Sequence, residues 1–185
     1  MGAPLYVRVV GDQWAQVADP IRCVHTRRSI LRASGRLRVE HGPHFVARIV
    51  ARLLRLPRPT AAADTQLVVT SRPDGEHWRR TFDGRRFDTW QYESNAFELA
   101  ERYGVLEFRF RLDASAGSLL YVQRGASLSF GPVRVRIPAR WAPRVEARED
   151  PAGQARLKVS VRVVVPGVGQ LIAYEGIVDI EKTRP

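Results

Sequence analysis

The chain has 185 residues, a hydrophobic fraction of 44% and a net charge of +11, a composition that is typical of a folded domain and excludes a disordered chain. Its single cysteine, Cys23, excludes an internal disulfide, and no stretch approaches the roughly 20 apolar residues that cross a bilayer. The N-terminus also lacks the pattern of a signal peptide, so we expect one domain over residues 1–185 in the cytoplasm.

Two short helices are predicted near the N-terminus. Leu5, Val9 and Val10 recur at helical spacing, and Gly11 interrupts the pattern. Asp19-Pro20 predicts the start of a second helix, because proline is favoured at the first helical position. We interpret both helices as a cap on a sheet.

One longer amphipathic helix is predicted at residues 44–56, after a strand at residues 34–40. Six apolar side chains recur at the helical period and form a stripe of Phe45, Val46, Ile49, Val50, Leu53 and Leu54. We expect this stripe to be buried against the sheet.

Much of the positive charge lies around this helix. Between Thr26 and Thr60 there are nine arginines and one acidic residue, so this segment carries +8 of the total +11. Arg48, Arg52 and Arg55 line the helix face opposite the apolar stripe. Because a local basic face attracts phosphates and anionic headgroups, we predict weak, salt-sensitive binding to anionic surfaces.

The remaining chain alternates apolar and polar residues, which predicts strands. The predicted strands are residues 66–71, 77–82, 86–92, 106–112, 119–123, 127–130, 133–137, 155–165 and 171–180. In the second of them Trp78, Arg80 and Phe82 share one face, and Asp83-Gly84 then predicts a hairpin turn. We expect the last strand to lie at an edge of the sheet.

These elements predict an α+β fold in which a curved, mostly antiparallel sheet of roughly six to nine strands grips the amphipathic helix, with short N-terminal helices. An apolar cavity between helix and sheet is a common place for a hydrophobic or lipid-like small molecule. The candidate cavity residues are Phe45, Ile49, Leu53, Trp78, Trp90, Phe108, Phe110, Val159, Val161 and Tyr174. The alternative is that they simply fill a close-packed core.

Several segments resemble one bacterial family. They are Leu5-Tyr6 with Gly11-Asp12, residues 47–57, residues 82–87, residues 142–149 and residues 174–176. Over nearly the whole chain the sequence is similar to the domain-of-unknown-function family numbered 4166, whose members occur alone or fused to saccharopine-dehydrogenase-like NAD(P)-binding domains. The resemblance implies no activity, but it implies an accessory role beside an NAD(P)-dependent oxidoreductase. Arg55 is a departure, since the family usually has glycine there.

Catalytic and metal motifs are not found in the sequence. His25, His41, His44 and His77 lack metal-ligand spacing, and we predict no metal and no cofactor. We do not expect nucleic acid binding, because no RNA- or DNA-binding motif is present.

One acidic cluster near an apolar loop, formed by Glu146, Glu149 and Asp150, could perform acid–base chemistry if one carboxylate is desolvated. The interleaved arginines Arg144 and Arg148 favour a salt-bridged edge instead.

Three hypotheses remain for the function. The first is a non-catalytic binding module, favoured by a lined cavity above roughly 300 Å³. The second is an accessory domain that contacts an oxidoreductase, favoured by a large exposed apolar patch. The third is an enzyme with a carboxylate acid–base site, favoured by a desolvated glutamate in a cavity. We expect the first.

Overall fold

The computed structural model describes residues 2–26 and 30–181. Arg27 and Arg28 of the basic segment lie outside the described residues. The helices are α1 (Leu5–Val10), a 3₁₀ helix (Gly11–Gln16), α2 (Asp19–Thr26) and α3 (Phe45–Leu53). The strands are β1 (Ile30–Glu40), β2 (Thr60–Arg72), β3 (Gly75–Phe82), β4 (Arg85–Asn95), β5 (Glu98–Tyr103), β6 (Leu106–Ser115), β7 (Ser118–Phe130), β8 (Val133–Arg136), β9 (Arg144–Gly153), β10 (Arg156–Val165) and β11 (Gly169–Ile180).

Ten of these strands close into an antiparallel barrel. Their order is β6-β5-β4-β3-β2-β1-β11-β10-β9-β7, and pairing of β6 with β7 joins the two ends of this series. β8 lies outside the ring and pairs with the second half of β7. Closure of the ring pairs most strand edges, and the inner face of the ring becomes the core.

The seam between β7 and β9 is short. Backbone pairing covers only Leu119 to Tyr121 of β7. Beyond it, the side-chain amide of Gln123 bridges the two strands: its Nε2 donates to the carbonyl of Pro143 at 2.9 Å, and its Oε1 accepts from the backbone N–H of Val145 at 2.7 Å. A side chain therefore replaces the backbone ladder at this point.

The N-terminal plug, formed by α1, the 3₁₀ helix and α2, closes one end of the barrel. Tyr6, Ile21 and His25 are fully buried. α1 contacts β4 and β6, whereas α2 contacts β9 and β10. The plug thus spans the barrel opening from one wall to the other.

Helix α3 lies at the opposite end, between β1 and β2. It contacts β11, and the carbonyls that follow it accept hydrogen bonds from β5 and β4: Tyr103 donates to the carbonyl of Leu54, and Arg85 to that of Leu56 at 3.2 Å. We call this the α3 end of the barrel. The turns between β3 and β4, β5 and β6, and β10 and β11 are at the same end.

The side of α3 that packs inward is small. Its buried residues are Ala47 and Ala51. Phe45, Ile49 and Leu53 point to solvent, with 62%, 51% and 76% of their surface exposed. The expectation that the apolar stripe is buried against the sheet is therefore wrong for these three residues.

The predicted fold class is also wrong. The protein is a mostly β closed barrel rather than a curved sheet that grips a helix. The physical reason is that a ring of ten strands buries its own inner face. An amphipathic helix is then not needed to cover it, and α3 contacts the barrel through Ala47 and Ala51, with Val50 and Leu54 partly buried beside them.

Individual elements were predicted better than their assembly. The helix start at Asp19-Pro20 and the turn at Asp83-Gly84 are confirmed. The predicted edge position of the last strand is wrong, because β11 pairs with β1 on one side and β10 on the other. No strand was predicted at β5 or at β9, and the continuous strand β7 was predicted as two separate strands.

Candidate functional site

The barrel encloses a cavity of about 80 Å³. Most of its wall consists of inward-facing apolar side chains, among them Leu37, Leu67, Trp78, Phe82, Leu157, Val159, Val161 and Val178. Polar side chains also reach it, namely Thr65, Arg80, Gln91, Glu101, Tyr121, Glu149 and Tyr174. The predicted cavity between helix and sheet is therefore replaced by one inside the barrel.

The N-terminal plug covers one opening of the barrel, and partly buried side chains line the cavity towards the other opening, at the α3 end. Val145, Val159 and Val161 line the cavity on β9 and β10, and they are only half-buried. Val163, one step closer to the α3 end, is half-buried as well. The interior therefore has contact with solvent on this side.

Arg80 places a positive charge in the cavity wall. Its Nη1 donates to Oγ1 of Thr89 at 2.9 Å, and its Nη2 lies 3.5 Å from Oε1 of Glu101. The guanidinium also sits 5.0 Å from the ring centroid of Trp78. Burial alone would lower the pKa of Arg80, but Tyr174 and Glu101 outweigh it and raise that pKa. The group therefore stays charged.

Tyr174 contributes a hydroxyl beside this charge. Its ring packs edge-on against Phe82 at 5.4 Å between centroids, and the residue is buried in the cavity wall. Burial raises the pKa of Tyr174, although Arg80 acts in the opposite direction. Within the described residues the hydroxyl has no hydrogen-bond partner, so a neutral O–H donor is available to a molecule in the cavity.

A second polar group joins the plug to the barrel. Oε2 of Glu149 lies 2.8 Å from Nε2 of His25, and Oε1 accepts from Tyr121 at 2.8 Å. Tyr6 stacks on the His25 ring at 3.6 Å, and its hydroxyl lies 2.6 Å from Oε1 of Gln91 and 3.0 Å from the Tyr121 hydroxyl. Residues from α1, α2, β4, β7 and β9 thus meet at one place.

This group is better suited to holding the plug than to catalysis. Burial alone would raise the pKa of Glu149, but the interaction with His25 and the hydrogen bonds from His25 and Tyr121 outweigh it and lower that pKa. A carboxylate with a lowered pKa is a weak base, and a general base works best with a pKa near the operating pH. Both carboxylate oxygens are also already occupied by protein donors.

Glu76 is also a buried carboxylate, but its surroundings raise its pKa, whereas those of Glu149 lower the pKa of that residue. Burial raises the pKa of Glu76, while His25 and the hydrogen bond from Trp78 oppose the shift. Nε1 of Trp78 donates to Oε2 of Glu76 at 3.0 Å. Glu76 does not line the cavity inside the barrel, so the carboxylate with the raised pKa is not placed to act on a molecule there.

The structure separates the predicted cavity residues into four groups. Trp78, Val159, Val161 and Tyr174 line the cavity. Phe108 and Phe110 pack together inside the barrel, at 6.4 Å between ring centroids, without lining it. Trp90 pairs with His77 in the strand ladder and lies against its ring. Phe45, Ile49 and Leu53 are on the outer surface at the α3 end.

The structure also locates the two other predicted sets of residues, the arginines of α3 and the acidic cluster. Arg48, Arg52 and Arg55 are exposed on or next to α3. Of the predicted acidic cluster, Glu149 is inside the barrel, whereas Glu146 faces outward 3.9 Å from Arg162. Arg148 and Asp150 form an ion pair at 2.6 Å, in agreement with the salt-bridged edge that the sequence favoured.

Arg80 was not among the predicted cavity residues, although its position in the predicted strand indicated that it faces inward. Arg80 shares one face with Trp78 and Phe82 in the predicted strand, so its inward position followed from the period of two. No comparable signal existed for Tyr6, His25 and Gln91, because only the closed barrel brings these distant residues together.

No group of three or more His, Cys, Asp and Glu side chains in residues 2–26 and 30–181 could hold a metal ion. In the same part of the chain, no helix is long and apolar enough to cross a membrane.

Comparison with known proteins identifies the family. A family model described as a domain of unknown function, DUF4166, matches residues 19–177. The chain belongs to the DUF4166 family. No match was found among the curated proteins or among the solved structures. The DUF4166 match extends from α2 into β11 and includes most of the cavity wall, and the barrel is compatible with a small-molecule binding module.

Proposed function

We propose that the barrel interior binds a small hydrophobic molecule that carries a carboxylate, and that it does so without chemical turnover. The observation that carries this proposal is the pairing of an apolar cavity with two donors, the Arg80 guanidinium and the unpartnered hydroxyl of Tyr174. Both groups are hydrogen-bond donors, and a carboxylate accepts from both.

The size of the cavity restricts the ligand. The volume of about 80 Å³ is below the roughly 300 Å³ named above as favouring a binding module, so the proposal rests on the donors in the cavity wall and not on the size of the cavity. The enclosed part therefore takes the carboxylate and a few carbon atoms. A longer acyl chain would continue past Val145 and Val163 towards the α3 end, where the inner wall is half-exposed.

A non-catalytic role is favoured over acid–base catalysis. The one fully enclosed glutamate that lines the cavity, Glu149, has a lowered pKa and both oxygens hydrogen-bonded. An accessory role beside an NAD(P)-dependent oxidoreductase and a cytoplasmic location both stay predictions.

Isothermal titration calorimetry with octanoic acid tests the proposal, with octan-1-ol as the matched probe that lacks the carboxylate. We expect saturable binding of the acid and weaker binding of the alcohol. Tyr174→Phe should weaken octanoic acid binding about fivefold, as loss of one hydrogen bond does. Ala147→Leu should weaken it further, because Ala147 lines the cavity and the larger side chain fills it.

Matched controls show whether the site is inside the barrel. Arg80→Met should abolish the preference for the acid, whereas Arg79→Met, on the exposed side of the same strand, should leave it unchanged. Ala62→Leu, at an exposed position of β2, controls for Ala147→Leu. Absence of saturable binding, or unchanged binding in both Tyr174→Phe and Ala147→Leu, would refute the proposal.

A further inference from the structure

The outer side of α3 is an apolar surface without a partner in the described chain. Phe45, Ile49 and Leu53 follow one another at intervals of four residues, so they lie on one side of the helix. All three are mostly exposed, and they point away from the barrel that Ala47 and Ala51 contact. We call them, together with Arg48, Arg52, Arg55 and Arg58, the α3 surface.

The arginines that border this apolar side have no acidic side chains to neutralise their charge. Residues 41–59 contain four arginines and no acidic residue. None of these four arginines forms an ion pair within the described part of the chain. Arginines on the barrel wall are often paired, as are Arg36 with Asp64 at 3.2 Å and Arg156 with Asp179 at 2.8 Å.

Arg55 occupies a position that favours glycine. After α3 the N–H of Arg55 donates to the carbonyl of Arg52 at 3.1 Å, and that of Leu56 to the carbonyl of Ala51 at 2.9 Å. These two bonds form a Schellman motif, whose left-handed residue is usually glycine. Arg55 adopts φ 54° there. A charged side chain is thus held at an exposed position against its backbone preference.

Other exposed apolar side chains are found at the same end of the barrel. Val105 is in the turn between β5 and β6, Phe130 and Val133 flank the turn between β7 and β8, and Trp141 is in the connection to β9. Seven of the twelve exposed large apolar side chains in the described residues are therefore at the α3 end, whereas Ile30 and Phe97 are at the plug end.

We propose that the α3 end docks on an anionic lipid surface, with Phe45, Ile49 and Leu53 entering the boundary of the acyl chains and the arginines contacting lipid phosphates. Apolar side chains flanked by basic ones on a helix are typical of interfacial binding. A second copy of the chain fits poorly, because a two-fold contact through α3 would place arginines against arginines. The proposal is independent of the ligand in the barrel.

Co-sedimentation with vesicles of phosphatidylglycerol and phosphatidylcholine tests this proposal. We expect binding to vesicles that contain phosphatidylglycerol and little binding to pure phosphatidylcholine. Binding should weaken between 0.01 M and 0.15 M salt, since the Debye length falls from about 30 Å to about 8 Å. Replacement of Arg48, Arg52 and Arg55 by glutamine should weaken binding about 100-fold, because each arginine near an anionic surface contributes about fivefold.

A charge-matched variant separates position from total charge. Arg32, Arg72 and Arg79 are also exposed, and their replacement by glutamine removes the same three charges from other parts of the barrel. This control should weaken binding much less than the triple variant of the α3 surface. Equal weakening by the two triple variants would overturn the proposal, and so would absence of binding by the unmodified protein at low salt.

Two further variants test insertion and the role of Arg55. Phe45→Trp should be quenched by brominated phosphatidylglycerol beyond the quenching of the unmodified protein, and equal quenching would contradict insertion. Arg55→Gly should weaken vesicle binding about fivefold while it raises the midpoint of thermal unfolding. A merely structural role of residue 55 would not give these opposite effects.

Discussion

Nε2 of His25 lies 2.8 Å from Oε2 of Glu149, and both side chains are buried. His25 belongs to α2 of the plug and Glu149 to β9 of the barrel, 124 residues apart in sequence. This contact therefore fastens the plug to the wall, and Tyr121 holds the other carboxylate oxygen at 2.8 Å. Closure of this end depends on a polar contact at the centre of an apolar core.

We predict that Glu149→Gln destabilises the protein by about 1.5–3 kcal/mol, which is typical for loss of hydrogen bonds to a charged group. The amide keeps the size of the side chain but removes the charge that His25 and Tyr121 contact. The free energy of unfolding in urea measures the effect. Glu146→Gln is the matched control, because that carboxylate is exposed, and it should change stability by less than about 0.5 kcal/mol.

The same contact gives a pH dependence with a definite sign. The pKa of Glu149 is lowered from 4.5 in the folded protein, so the ionised form is favoured by folding. Its contribution to stability is complete above pH 4.5 and is lost as the pH falls through the folded pKa. In Glu149→Gln the loss of stability below this pH should be smaller than in the unmodified protein. The prediction would be contradicted if Glu149→Gln and the unmodified protein lost the same free energy of unfolding as the pH falls below 4.5.

Glu76 should have the opposite effect on the pH dependence. Burial raises its pKa from 4.5, so folding favours the protonated form. Its contribution is complete below pH 4.5 and is lost as the pH rises through the folded pKa. We predict that Glu76→Gln is more stable than the unmodified protein at pH 7, since glutamine still accepts from Trp78 without a buried charge. Urea unfolding at pH 4 and pH 7 measures this, and a lower stability at pH 7 would contradict it.

A close approach between β1 and β11 gives a steric prediction. A Cβ atom at Gly35 would lie 2.1 Å from the carbonyl oxygen of Ile177, and one at Gly176 would lie 2.4 Å from that of Arg36. Gly35→Ala should therefore destabilise the protein by about 1–3 kcal/mol, the usual cost of overpacking. In the strand control Gly125→Ala, the new Cβ meets only the end of the Arg109 side chain, at 2.9 Å, so the change should stay within about 1 kcal/mol. Equal losses in thermal unfolding would contradict this account.

Local structure was predicted from the sequence because it depends on local signals. Proline at the start of α2 and the Asp83-Gly84 turn act within a few residues, and both are confirmed. The alternation of Trp78, Arg80 and Phe82 likewise gave the correct shared face. What the sequence could not give was closure of the sheet, since pairing of β6 with β7 and of β7 with β9 depends on register across the whole ring.

The candidate site was predicted in part for the same reason. Val159 and Val161 line the cavity because strand periodicity places them on one face, and the register of β10 with β11 puts Tyr174 opposite Val161. α3 was misassigned because a stripe of large apolar residues normally identifies the buried side of a helix. Here the two small residues Ala47 and Ala51 are on the buried side, and no local pattern distinguishes that arrangement from the common one.

Two leucines near the end of α3 test this reversal directly. Leu53 is 76% exposed, whereas Leu56, three residues later, is 5% exposed and belongs to the core. We predict that Leu56→Ala costs about 2–5 kcal/mol, as truncation in a packed core does, and that Leu53→Ala changes stability by less than about 0.5 kcal/mol. Urea unfolding of both variants measures the difference. Each variant is the control for the other, because the same leucine-to-alanine change is made at a buried and at an exposed position. A loss above about 2 kcal/mol for Leu53→Ala would mean that the large apolar side chains of α3 are buried in the folded protein. The α3 surface would then not exist as described, and vesicle binding would need another origin.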